Sequence, residues 1–396
     1  PPASHQLPSG KRLATLDILR GLALLSMILV HCQRTLAVAP ATMLDGWIES
    51  IITFGLADKD RAVFALLFGA SFAIMMMGIE ARGEPVVSIF VRRLLVLYVM
   101  GFAVESLTRF SILRELAWWG GALLLVRSWP TRALLTLALI SAAAFSIRDI
   151  ADSGYSVATR GHPTTIALEN ARQTAWEEQQ HKARELLADP DYADVIKTRA
   201  QFALRDAASL SRLIPNIHLS FLILGLLAVR HGIFVSPQGH LRLILGIMAA
   251  GVGAWMIARF VLPLLPPDLG TPRIGYHLQA GLGIIDEQLL ALSYVGAITL
   301  LLAFRPSSAR WLAPFGWAGR LALTIYILHV ALIELASAPH GLALALDPTV
   351  SALTGVVLFG ALAWCSQRWL RRFRYGPVEY GWRILSFGNR RSLPAV

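Results

Sequence analysis

The chain has 396 residues, of which 55% are hydrophobic and only 15% charged, with a mean hydropathy of +0.57. That composition excludes an ordinary soluble domain and points to a polytopic membrane protein. The formal net charge of +11 does not indicate nucleic acid, because the bases sit between apolar segments, where membrane topology accounts for them.

In chain order, residues 1–12 read as a disordered leader with no signal-peptide pattern. The stretch from Asp17 to His31, DILRGLALLSMILVH, places an acid, a base and an imidazole in an apolar segment. Its uninterrupted apolar run, Gly21 to Val30, is shorter than the roughly 20 residues a crossing needs, so the span extends from about Arg12 to about Arg34. Asp17, Arg20 and His31 then lie at membrane depth, where ionisable groups are costly and mark function by default. About ten spanning helices follow by length and hydropathy: 14–36, 61–80, 87–107, 112–127, 131–148, 214–230, 240–262, 280–303, 319–337 and 350–370. Segment 43–57 reads as interfacial or re-entrant.

The expected architecture is an all-α membrane bundle. Its first half covers 13–148, a periplasmic helical insert 149–213, its second half 214–372 and a basic tail 373–396. The insert reads as amphipathic helices such as 164–188 and 191–212, serving as a cap or as a lid. Bases crowd the loops on the N-terminal side, and Asp45, Glu49, Asp58, Asp60, Asp268 and Asp347 occupy the opposite ones. The positive-inside rule therefore puts both termini in the cytoplasm of a bacterial inner membrane. Cys32 and Cys365 fall near opposite faces, which argues against a disulfide, and no metal-ligand spacing exists.

Three elements could carry chemistry. Arg20 and His31 are eleven residues apart, which returns a helix to within about 20° of the same face and roughly 16 Å further along. Arginine suits phosphate and imidazole suits proton transfer, with Asp17 three residues before Arg20 as its ion-pair partner. The bland reading is a helix-packing ion pair and an interhelical histidine. Tyr326 and His329 share a face in GRLALTIYILH, at a depth comparable with His31; a simple packing contact is the alternative. Asp60, in ADKDRAVFALLFG, could orient an imidazolium, or serve with Asp58 as a helix-capping acid. Asp286 and Glu287 read as first-turn acids of the eighth span. Arg92, Arg93 and the tail arginines Arg371, Arg372, Arg374 and Arg383 read as topology determinants or lipid contacts, or as a phosphate clamp.

The blocks DILRGLALLSMILVH, KDRAVFALLFGASFA, GRLALTIYILH and FRYGPVEYGWRILSFG resemble the YeiB-like family of bacterial membrane proteins. That family is grouped with transmembrane acyltransferases that include heparan-α-glucosaminide N-acetyltransferase and acyltransferase family 3. The resemblance implies transfer of an acyl group from cytoplasmic acyl-CoA, acetyl-CoA included, to a small-molecule or glycan acceptor beyond the membrane. No metal and no nucleic acid are expected from the spacing and hydropathy above, with membrane lipids as surroundings and a homodimer left open. Arg20 and His31 match the arginine–histidine spacing of acyltransferase family 3. In the heparan enzyme the catalytic histidine lies in the loop after the first span, whereas residues 32–57 here contain none. The resulting assignment gives His31, Asp60, His329 and Tyr326 to catalysis, and Arg20, Asp17, Arg92, Arg93 and Arg374 to the donor. A transporter of a small polar or amphipathic solute, with the same intramembrane charges lining a path, is the competing expectation.

Overall fold

A computed structural model describes residues 14–158 except 109, 191–209, 216–261 and 272–387 except 340, with isolated residues between 174 and 178. Among these the chain is helical, and a lone bridge between Ala37 and Leu346 is the sole β-type pairing. The leader and the predicted helix 164–188 lie essentially outside the described residues.

All ten segments expected to span are helices. In chain order they are α1 (Ala14–Leu36), α3 (Lys59–Glu80), α4 (Val86–Leu107), α5 (Leu113–Val126), α6 (Thr131–Ala158), α8 (Ile217–Arg230), α9 (Leu241–Met256), α10 (Pro272–Phe304), the pair α11 (Ala313–Arg320) and α12 (Ala322–Ser337), and α13 (Pro348–Leu370). Further helices are α2 (Met43–Ser50), which runs into a π-turn over Ile51–Leu56, α7 (Tyr192–Ala207) from the insert, and α14 (Pro377–Phe387), with single short turns at Pro237–His240 and Ser308–Trp311. Among the described residues six helices are long and apolar enough to cross a bilayer, and α11 with α12, bent by 88°, makes a seventh if the pair is one span. At 14 residues each, α5 and α8 rise about 21 Å, less than the hydrocarbon thickness. Most of α8 is buried among other helices, so the lipid does not set its length.

Small residues let the helices approach closely, the packing mode expected where lipid provides no hydrophobic drive between helices. A Cβ at Gly225 of α8 would fall on the Leu66 carbonyl, and one at Gly69 of α3 on the Leu222 carbonyl. Gly319 meets the Asp17 backbone in the same way, locking α11 to α1.

Ties at each end set the arrangement. At the end rich in bases, Arg230 donates to the Trp129 carbonyl at 3.0 Å and Trp382 Nε1 to the Arg93 carbonyl at 3.0 Å. At the opposite end, Asp45 completes a capping box with Thr42 and also accepts from Thr349 N–H at 3.1 Å. There too Arg34 pairs with Asp58 at 3.2 Å.

The tail read as a basic extension contains α14, which packs back into the bundle. Glu379 accepts from the N–H groups of Leu323 and Thr324 at 2.8 and 3.0 Å, and from the Thr324 hydroxyl at 2.5 Å. It thereby caps α12 where the break after Arg320 leaves donors without intrahelical partners. A Cβ at Gly376 would collide with that carboxylate, which explains the glycine of GPVE.

Candidate functional site

The α1 stripe and α12 meet at the two histidines. His31 Nδ1 lies 3.1 Å from His329 Nε2, and the rings stack at 5.3 Å between centroids. His329 Nδ1 sits 3.0 Å from the Ile325 carbonyl, which can only accept. In the neutral pair His329 therefore carries its proton on Nδ1, and its Nε2 accepts from His31 Nδ1–H. That leaves His31 Nε2 with the lone pair, and no hydrogen bond to it is made among the described residues. The sharing of one proton between two rings fixes which nitrogen can act as a base.

Phe110 and Ile112, just before α5, close this centre. Phe110 stacks on His31 at 4.0 Å, and Ile112 N–H donates to the Tyr326 hydroxyl at 2.9 Å. Tyr326 in turn sets its edge to His329 at 5.4 Å. His31 is 8% exposed and His329 and Tyr326 are buried. Over the end of α4 lies α7. Tyr192 donates to the Leu107 carbonyl at 2.5 Å, Arg199 reaches that carbonyl at 3.0 Å and Glu334 of α12 at 2.8 Å. The buried Arg114 binds the Ala203 carbonyl, Asp206 and Glu105, each at about 2.7 Å. Burial and the Glu334 charge push the Tyr192 hydroxyl above its ordinary pKa, so it stays a donor.

Toward the basic end, the same helices enclose a cleft of about 270 Å³. Four arginines line it: Arg20, Arg93, Arg320 and Arg383. Arg20 is held by Asp17 at 2.6 Å and by Ser71, and Arg93 lies over the Trp382 ring at 3.4 Å. The two nearby carboxylates are engaged, Asp17 with Arg20 and Glu379 with the start of α12, so the cleft presents excess positive charge. Guanidinium groups in an apolar-walled cleft suit a phosphate-bearing ligand. Its floor toward the histidines is Phe64 and Leu113, and the Phe64 ring packs at 6.3 Å against Tyr326. Cleft and histidine pair are thus adjacent layers separated by Phe64 and Tyr326.

The sequence-derived candidates divide accordingly. His31, His329 and Tyr326 come together, and Arg20, Asp17 and Arg93 gather at the cleft. Arg92 and Arg374 are exposed and do not line it. Asp60 contacts neither imidazole; it is buried in a separate cavity with one carboxylate oxygen unpartnered. Asp286 and Glu287 gather near Lys59, whose amine lies 3.4 Å from Glu287. From sequence Arg320 marks only the cytoplasmic end of its helix, and Arg383 enters only among the tail arginines offered as a phosphate clamp. The clue to a place in the cleft was the spacing Glu379, Trp382, Arg383, which puts three cleft residues on one face of a short helix, with Tyr375 just before it. Among the described residues no cluster of three or more His, Cys, Asp or Glu could hold a metal ion.

Residues 12–164 match the family model for the heparan-alpha-glucosaminide N-acetyltransferase catalytic domain, and residues 228–389 match that of a protein family of unknown function, DUF418. The uncharacterized protein YxaH of Bacillus subtilis (strain 168) is 23% identical over 408 residues, covering 96% of this chain and 95% of that protein. An uncharacterized 39.9 kDa protein from the amylase 3' region of Bacillus acidopullulyticus is 24% identical over 399 residues, with 96% and 95% covered. No solved structure matches significantly. The arginine stripe and first histidine thus fall within the acetyltransferase-type match, the capping glutamate and second histidine within the DUF418 match, and these are the two families that the sequence blocks resemble.

Proposed function

We propose that this protein is a transmembrane acyltransferase. Acyl-CoA enters from the cytoplasm at the basic end, and the acyl group passes at the histidine pair to a hydroxyl or amine acceptor, such as a sugar, on the periplasmic side of the inner membrane. The observation that carries this reading is the stacking of two layers on one helix stripe: a four-arginine cleft beneath a hydrogen-bonded His31–His329 pair.

In this reading Arg20, Arg93, Arg320 and Arg383 hold the donor's phosphates, and the thioester reaches past Phe64 and Tyr326, which must part to admit it. His31 Nε2 takes the proton of the acceptor as the acceptor's oxygen or nitrogen bonds to the acyl carbon. The carbon–sulfur bond breaks, and the leaving thiolate receives a proton from the imidazolium, restoring the neutral pair. His329 fixes the tautomer and spreads the transient charge through the shared hydrogen bond.

The test is acetyl transfer by the purified protein from radiolabelled acetyl-CoA to a panel of amino sugars and sugar alcohols. His31→Ala is expected to lower kcat by about 10²–10⁴-fold, the usual share of a general base. Arg20→Ala is expected to raise KM for the donor with a smaller effect on kcat. Equal turnover by wild type and His31→Ala removes His31 from the chemistry. Solute flux with no acyl-CoA binding favours the transport alternative.

A further inference from the structure

A second cavity, of about 310 Å³, shares no lining residue with the arginine cleft. It lies between α1, the start of α3, α10 and the π-turn that ends at Leu56. Apart from Ser26, Lys59, Asp60 and Tyr294 its wall is aliphatic. Leu22, Leu25, Ser26 and Leu29 are half-buried and Tyr294 is exposed, so the cavity opens on the flank of the bundle, the surface that apolar spans turn to lipid. At about 30 Å³ per small group, the share one water takes in the liquid, it holds on the order of ten chain atoms.

The polar corner of this cavity is incomplete. Asp60 is 3% exposed, yet its Oδ1 has no hydrogen-bond partner among the described residues. Its neighbours are already engaged: Lys59 with Glu287 at 3.4 Å, Arg61 and Arg34 with Asp58, and the Tyr294 hydroxyl with the Gly55 carbonyl at 2.8 Å. A buried carboxylate oxygen without a donor is costly, and a ligand that brings a donor relieves that cost. An aliphatic slot open to lipid with an unmet acceptor at its closed end matches one class of molecule.

We infer that this cavity binds a membrane-borne amphipath with one apolar chain and a hydrogen-bond-donating head, an ammonium or a hydroxyl, which donates to Asp60. The chain lies against Leu22, Ser26 and Leu29 and against Val295 and Ile298 of α10. The site shares no lining residue with the cleft, and does not depend on the transfer chemistry proposed above.

The full chain in neutral maltoside micelles would be photolabelled with dodecylamine, 1-dodecanol and dodecyl methyl ether, each carrying a mid-chain diazirine, and the labelled peptides mapped by mass spectrometry. The amine or the alcohol is expected to label segments 22–29 and 295–298, and the ether, which cannot donate, to label them weakly. The stronger of the two donors identifies the head group. Asp60→Ala is expected to lower that labelling roughly tenfold or more, the ratio for losing a hydrogen bond to a charged group. Ser26→Trp, placed on the half-buried rim, is expected to abolish it by filling the slot, and needs no change at Asp60 should Asp60→Ala fail to fold. Labelling by the ether equal to that by both donors, labelling that survives Ser26→Trp, or labels spread evenly over the lipid-facing helices would each overturn the proposal.

Discussion

The Ile325 carbonyl is the residue-scale detail on which the histidine pair turns. It accepts from His329 Nδ1, so the proton order along Ile325, His329 and His31 has a single solution in the neutral state. Tyr326, one turn before His329, has a comparable local task. Its hydroxyl receives the Ile112 N–H at the start of α5, a buried donor that would otherwise lack a partner. Tyr326→Phe is therefore expected to lower stability by about 1–3 kcal/mol, the cost of orphaning a buried N–H, measured as a drop in the thermal midpoint of the purified protein. Its effect on transfer is expected to be smaller than that of His31→Ala, since the phenol is not the proposed base. A Tyr326→Phe protein that melts with wild type would refute the closing role of this bond.

At the scale of elements, two devices set the site's shape. The first is the glycine contact between α3 and α8. Gly225→Ala places a methyl on the Leu66 carbonyl, and the helices must separate to accept it. A loss of about 1–3 kcal/mol is expected from such overpacking. The displacement should also reach the cleft, because Leu67, Phe68 and Ser71 on the neighbouring turns line it. The second device is the cap that Glu379 of α14 places on α12. Glu379→Ala leaves the Leu323 and Thr324 N–H groups unpaired, whereas Glu379→Gln keeps an acceptor for them. Thermal melting is expected to rank wild type above Glu379→Gln, and Glu379→Gln above Glu379→Ala, with the last costing about 1–2 kcal/mol. Donor KM should rise in the same order, because α14 also carries Trp382 and Arg383 into the cleft. Two alleles that melt alike would show that the carboxylate does not hold the helix start.

At the scale of the whole molecule, the insert's helix α7 and the tail's helix α14 occupy opposite ends of the bundle. Through Tyr192, Arg199 and Ala203, α7 grips the ends of α4, α5 and α12 beside the histidines, whereas α14 packs beside Arg93 and Thr324 at the cleft. On the proposed topology, single cysteines introduced at Lys197 and at Tyr380, in a background lacking Cys32 and Cys365, should react with a membrane-impermeant maleimide from opposite faces of sealed vesicles. Labelling of both from one face would contradict the arrangement. Arg199→Ala removes the tie from α7 to Glu334 and leaves that buried carboxylate without its guanidinium partner. Protease cleavage within the insert is expected to accelerate, with the bundle itself remaining intact.

Sequence by itself determined the membrane class, the ten helical segments and the Arg20–His31 stripe. Length, hydropathy and the 3.6-residue period are local quantities, and they dictate where helices run and which residues share a face. It also singled out His329 and Tyr326, because a polar pair inside an apolar helix is visible without knowing its neighbours. What only the tertiary structure decided was which chemistry-bearing groups meet. Asp60 and Phe64 are four residues apart on α3 and share a face, yet Asp60 lines the flank cavity with α10 and Phe64 lines the arginine cleft with α4 and α5, because different helices pack over successive turns of α3. Arg383, more than sixty positions from Arg320, joins it because a break after Arg320 exposes backbone donors that Glu379 caps. Arg92 and its neighbour Arg93 are equivalent in charge, and the helix turn alone sends one outward and the other into the cleft. Pairing across the bundle depends on how helices cross and where they bend, and those are set by close glycine contacts and caps between segments distant in the chain, which no local pattern records.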